Sequence, residues 1–162
     1  MAISLQKKKE IVEKVKSAVK EAKSLVFVNF HGLTVGAITQ IRRDLKVIGI
    51  KYFVAKKTLI SRALGESQVK GESPVLPGEV ALVWGEDLVA PAREIYNFQK
   101  KNPENLKILG GIFDSSFMDQ AAMMEIASIP TLNVLHGKFV NIINSPVQRF
   151  VIALNEVAKL RN

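Results

Sequence analysis

Apolar residues recur along this chain with two periods, and the alternation between them lays out a series of elements. From Ser4, a candidate N-cap, to about Lys23, the residues Ile11, Val12, Val15, Ala18, Val19 and Ala22 repeat at helical spacing and predict an amphipathic helix. Ser24-Leu25-Val26-Phe27-Val28-Asn29-Phe30 is almost continuously apolar, the pattern of a strand in the middle of a sheet. His31 to Thr34 reads as a turn, with Thr34 capping a helix from Val35 to about Val47. That helix turns Ile38, Ile41 and Leu45 inward and Arg42, Arg43 and Lys46 outward, and Gly49 ends it.

The next stretch, Ile50 to Leu64, changes period within itself. Its first half alternates and is rich in β-branched and aromatic residues, whereas Leu59, Ile60, Ala63 and Leu64 recur at helical spacing, so strand passes into helix at Lys56-Lys57. A helix opening there directs unpaired N–H groups and the positive end of its dipole at solvent, beside two lysines and the Thr58 hydroxyl. Such a corner suits an anion, most naturally phosphate; a solvated turn is the plainer reading.

Gly65 to Gly78, with Pro74 and Pro77, is expected to be a mobile connection. Glu79 to Trp84 predicts a further buried strand closed by Gly85, and Asp87 is placed to cap a helix reaching about Lys101. Leu106 to Phe113 predicts a last strand interrupted by Gly110-Gly111, which fits a bulge or a close backbone approach better than any nucleotide motif. Met118 to Ala127 reads as a short helix ending before Ile129-Pro130. Strands separated by helices predict an α/β sandwich with a four-stranded sheet over residues 1–128.

Residues 129–162 differ in character and predict extended C-terminal helices. Leu132, Leu135, Phe139, Ile142 and Ile143 share one face of a first segment. Asn144-Ser145-Pro146 is expected to break the helix and start another, in which Val147, Phe150, Val151, Leu154, Val157 and Ala158 form an apolar stripe. That stripe must be covered, either by the chain's own sheet or by partner helices; the α/β unit already has helices for its sheet, which favours a partner.

Charge sharpens this division. The net charge is +8, and the first 80 residues hold 15 Lys/Arg against 7 Asp/Glu while residues 81–162 hold 8 of each, so the whole excess lies in the first half. Asymmetry of this kind points to one part meeting a polyanion, nucleic acid ahead of a membrane surface because no helix pairs a basic face with Trp or Phe. The chain has no cysteine, which excludes disulfides and thiolate metal sites and fits a cytoplasmic setting. No apolar run approaches the roughly 20 residues of a membrane span. The basic N-terminus leads into a charged amphipathic segment, unlike a secretory signal.

Candidates for catalysis are few. His31 and His136 are the only histidines and lie at no metal-binding spacing; Walker, Rossmann, nucleophile-elbow and metalloprotease signatures are missing. His31 reads as a turn residue rather than a general base, and Trp84, Phe27, Tyr52 and Phe53 as core rather than base-stacking platforms.

Several of these segments together resemble the bacterial large-subunit ribosomal protein number ten, the stalk scaffold. The likeness runs through Lys8-Lys9-Glu10-Ile11-Val12, Gly32-Leu33-Thr34-Val35, Phe53-Val54-Ala55-Lys56-Lys57-Thr58-Leu59, Ala63-Leu64, the Gly110-Gly111 strand, Ala127-Ser128-Ile129-Pro130 and the terminal helices. Two departures stand out: the family usually has Lys-Asn-Thr-Leu where this chain has Lys56-Lys57-Thr58-Leu59, and Gly-Pro-Thr-Ala where this chain reads Pro77-Gly78-Glu79-Val80-Ala81.

The resemblance implies a non-enzymatic structural protein without cofactor or metal. It implies an N-terminal domain bound to the stalk-base region of large-subunit rRNA beside the protein numbered eleven. It also implies a C-terminal helix carrying dimers of the acidic stalk protein (seven/twelve), which recruit GTP-bound translation factors. On that reading Lys7, Lys8, Lys9, Arg42, Arg43, Lys56, Lys57, Thr58 and Arg62 contact RNA. The stripe from Val147 to Ala158 takes the acidic partner. A stalk-like ribosome-assembly factor, or a small enzyme acting on a phosphorylated substrate, are the alternatives.

Overall fold

The computed structural model describes residues 5–67, 69–71, 74 and 76–161. Strand β1 (Ser24–Asn29) runs through its centre, with Ser24 to Val28 all buried. Pleating sends Leu25 and Phe27 to one face and Val26 and Val28 to the other, so the strand needs an apolar cover on both sides. Strands β2 (Lys51–Val54), β3 (Val80–Gly85), β4 (Lys107–Phe113) and β5 (Ser116–Asp119) complete a sheet in the order β2-β3-β1-β4-β5. All four neighbouring pairs are antiparallel.

Helices supply the two covers. Helices α1 (Leu5–Glu21) and α3 (Lys57–Gly65) lay Val15, Ile60, Ala63 and Leu64 against Leu25, Phe27 and Leu82. On the opposite face, α2 (Val35–Val47), α4 (Ala90–Lys101) and α5 (Gln120–Ser128) lay Ile41, Leu45, Ile95 and Met123 against Val26, Val28 and Ile108. Thr34 caps α2 as expected, its hydroxyl accepting the Ala37 N–H at 3.3 Å. Ser4, the cap expected for α1, lies outside the described residues.

The sheet has five strands rather than four. Phe113 to Ser116 is a two-residue hairpin in which Asp114 (φ 46°) and Ser115 (φ 63°) both take positive φ, as the right-handed twist of a tight hairpin requires. Asp-Ser lacks the glycine that usually advertises this turn, so the strand went unread: Met118 and Asp119, expected to open the helix, belong to β5, and α5 begins at Gln120. The connection after α3 is also less loose than expected. The Lys70 N–H donates to the Ser115 carbonyl at 3.1 Å, and the Lys70 carbonyl accepts the Phe117 N–H at 2.9 Å, a parallel bridge along β5.

The Gly110-Gly111 pair is a bulge and a close approach at once. Register slips between Phe27 and Val28, leaving Leu109 as the extra residue, and Gly110 takes φ +147°. A Cβ on Gly111 would lie 2.5 Å from the Leu25 carbonyl oxygen and 2.7 Å from Met123 Cε, so the absent side chain lets α5 sit down on the sheet. Helix α4 starts at Ala90, two residues later than an Asp87 cap would give. The Asp87 carboxylate instead accepts the Val89 N–H at 3.2 Å, an Asx turn ahead of the helix, whose first turn contains Pro91.

The chain divides into two compact units, residues 1–129 and 130–162. The second is one helix, α6 (Leu132–Arg161), 30 residues and roughly 45 Å long, with Pro146 inside it. The expected break at Asn144-Ser145-Pro146 does not occur. At about 100° per residue the stripe from Leu132 to Ile143 and that from Val147 to Ala158 are centred about 70° apart and together span about half of the helix surface. Pro146 removes one backbone donor, and the Ile142 carbonyl that loses it is on an exposed residue within reach of water.

Gly111→Ala should destabilise the protein by about 3 kcal/mol in urea unfolding, because the Leu25 carbonyl is backbone and cannot yield. Gly36→Ala, in α2 with nothing within 4 Å of the new Cβ, should instead leave stability unchanged or raise it by about 0.5 kcal/mol.

Candidate nucleic-acid interface

Helices α1 and α3 pack side by side on one face of the sheet and leave an open groove of about 500 Å³ between them. Spacings of three and four residues bring Lys9, Val12, Glu13 and Lys16 to one side of α1, with Lys8 beside them; the same spacing brings Leu59, Arg62 and Glu66 to the facing side of α3. Four cations and two carboxylates therefore line one slot. The Glu66 carboxylate joins its two walls: it accepts a hydrogen bond from Lys16 of α1 and lies 3.3 Å from Arg62 Nε. The Lys16 hydrogen bond, then that of Arg62, holds the Glu66 carboxyl below the usual glutamate range.

At its other end α3 begins at the two lysines. Lys56 is the N-cap residue with extended backbone (φ −65°, ψ 130°), and a lysine side chain has no acceptor to offer the first turn. The N–H groups of Lys57 and Thr58 at the start of α3 are thus left for an outside anion, with exposed Lys56, Lys57 and Thr58 side chains around them. The structure brings Lys8, Lys9 and Arg62 together in the groove and sets Lys7 on the exposed surface of the same helix, α1. Arg42 and Arg43 are not part of this cluster. They project from α2 on the opposite face of the sheet, where the Arg42 guanidinium lies 5.2 Å from the centroid of the Tyr52 ring. Burial pushes the Tyr52 phenol up to about 12, against the opposing charge of Arg42, so the phenol stays protonated.

The aromatic residues are placed as core. Phe27 is fully buried, and half-buried Phe53 meets Trp84 edge to face, centroids 6.5 Å apart. His31 is exposed in the turn after β1. Among the described residues no group of three or more His, Asp or Glu could hold a metal ion, and no helix is long and apolar enough to cross a membrane.

The model of the family described as Ribosomal protein L10 matches residues 4–100. The chain belongs to this family. It is 31% identical over 160 residues to the large ribosomal subunit protein uL10 of Shouchella clausii, covering 98% of this chain and 96% of that protein. The uL10 of Malacoplasma penetrans is 33% identical over 159 residues, 98% of each chain, and that of Rickettsia africae 34% identical over 135 residues, 83% of this chain and 79% of that one. A member of the L10 family is a structural component of the ribosome and not an enzyme.

Sequence reasoning missed Lys16 and Glu66 as members of the groove. The spacing of Lys9, Glu13 and Lys16 along α1 was a visible sign for the lysine, but its partner lies 50 residues away on another helix.

The residues proposed for a protein partner lie on the second unit. Val147, Phe150, Val151, Leu154, Val157 and Ala158 are all exposed, Phe150 at 65% and Leu154 at 54%.

A glutamate whose pKa is depressed in the folded state contributes stability above its unfolded pKa and loses it as pH falls through the folded value. The Glu66 carboxyl followed by NMR should titrate below the ordinary glutamate value, and Lys16→Gln should move its midpoint back up. Coincident Glu66 midpoints in the wild type and in Lys16→Gln would contradict the bridge.

Proposed function

We propose that this L10-family protein is the scaffold of the ribosomal stalk. It docks on stalk-base rRNA, beside the protein numbered eleven, through the face carrying α1 and α3, and holds dimers of the acidic stalk protein on α6. The charge distribution supports the first half: the excess of +8 falls within the first 80 residues, and its α1 and α3 members line one groove and one helix start. Lysine and arginine there would neutralise backbone phosphates and read RNA shape more than base sequence.

The observation that carries the reading is the exposure of α6. Phe139, Ile142, Ile143, Val147, Phe150, Val151, Leu154 and Val157 are each more than half exposed along one helix, far more contiguous apolar surface than a finished protein surface normally leaves. A helix presenting exposed apolar positions over roughly 45 Å suits several amphipathic partner helices laid along it. The partner's acidic bodies would then stand clear of the RNA and recruit translation GTPases. An assembly factor sharing the RNA-binding face would have no use for this helix.

Lys56→Ala with Lys57→Ala should weaken binding to a stalk-base rRNA transcript and reduce the salt dependence, by up to about 2 in the slope of log K against log salt. An unchanged slope would reject their role. Phe150→Asp with Leu154→Asp should abolish complex formation with the acidic stalk protein in native mass spectrometry while RNA affinity stays within twofold. Loss of both activities together would instead make α6 part of the folded core.

A further inference from the structure

The bridge across the α1–α3 groove carries a consequence for how RNA is bound, and it rests on the rRNA-docking reading above. Glu66 occupies the C-cap position of α3, where its backbone N–H bonds to the Arg62 and Leu64 carbonyls. A carboxylate there faces the negative end of the helix dipole, so it is the wrong charge for its place and is held by Lys16 and Arg62. All three side chains are open to water, with 36% of Lys16, 44% of Glu66 and 74% of Arg62 exposed. Exposed pairs of this kind are weak and exchange readily for another anion. Arg62 reaches Glu66 through Nε alone, and its terminal nitrogens remain available to a phosphate. Lys8 and Lys9 line the same slot, so a polyanion is drawn to the place where the bridge stands.

We infer that Glu66 is a built-in competitor for RNA phosphate: its carboxylate bridges Lys16 and Arg62 in the free protein and gives up both cations to a backbone phosphate in the complex. Lys16 becomes an RNA-contact residue, and Glu66 sets the affinity without touching RNA. The exchange keeps the two cations paired in the free state, so the groove discriminates against isolated anions that bring too few contacts to displace the carboxylate.

The test is a salt titration of the full-length protein against a stalk-base rRNA transcript, comparing wild type with Glu66→Gln, Lys16→Gln and their double variant. Glu125→Gln, on α5 across the sheet, controls for one unit of net charge. Glu66→Gln should tighten binding about fivefold and Glu125→Gln by less than about twofold. Lys16→Gln should lower the slope of log K against log salt by nearly 1 and cancel most of the Glu66→Gln gain in the double variant. Equal tightening by Glu66→Gln and Glu125→Gln, or a Lys16→Gln slope equal to wild type, overturns this inference and leaves the docking reading standing. Wild-type binding that shows no salt dependence overturns both.

Discussion

The burial of β1 on both faces is the constraint from which the rest of the first unit follows. Leu25 and Phe27 on one side, Val26 and Val28 on the other, are all shut off from water, and a strand in that position must have strands on both edges and helices on both faces. The connections meet this demand by alternating. The helix before β1 and the helix after β2 cover one face; the helices after β1, β3 and β5 cover the other. Two helices from different parts of the chain, α1 and α3, are thereby laid next to each other. The slot between them, with its lysines and Arg62, is a by-product of covering Leu25 and Phe27.

The same layering sorts the basic residues. Those on α1 and α3 share a face, while Arg42 and Arg43 are carried to the other with α2. Net charge counted along the sequence cannot see this division. Within the slot, the carboxylate of Glu66 offsets part of the positive potential, and the free protein avoids holding Lys16 and Arg62 together without a counter-charge. In the second unit the balance is the reverse: α6 has few charges and many exposed apolar positions, and what it lacks is a cover. The two units thus differ in what they leave exposed, basic side chains on one and apolar helix surface on the other.

Elements whose signal is local were legible from residue pattern. The unbroken apolar run of β1, the Thr34 cap, the change of period at Lys56-Lys57 and the glycine pair in β4 each carry their cause within a few residues. The features that were not legible depend on something distant or atypical. Strand β5 hangs on a positive-φ turn made by Asp114 and Ser115 without glycine, and its four residues merge with the pattern of α5. Pro146 after Asn144-Ser145 ordinarily marks a helix start, and no local signal tells that pattern from a proline inside a continuing helix. The Lys16–Glu66 contact joins residues on different helices, beyond the reach of any i,i+4 rule. Asp87 was a true turn signal, displaced from the helix it was expected to cap by the Pro91 requirement for a place in the first turn.

Amide hydrogen exchange of the full-length protein tests most directly the proposal that the two units bind separate partners. Addition of stalk-base rRNA is expected to slow exchange in α1 and in the first turns of α3 while leaving α6 at its free rate; addition of acidic stalk protein is expected to slow α6 alone. Protection of α6 by RNA, or of α1 and α3 by the acidic protein, would contradict the division.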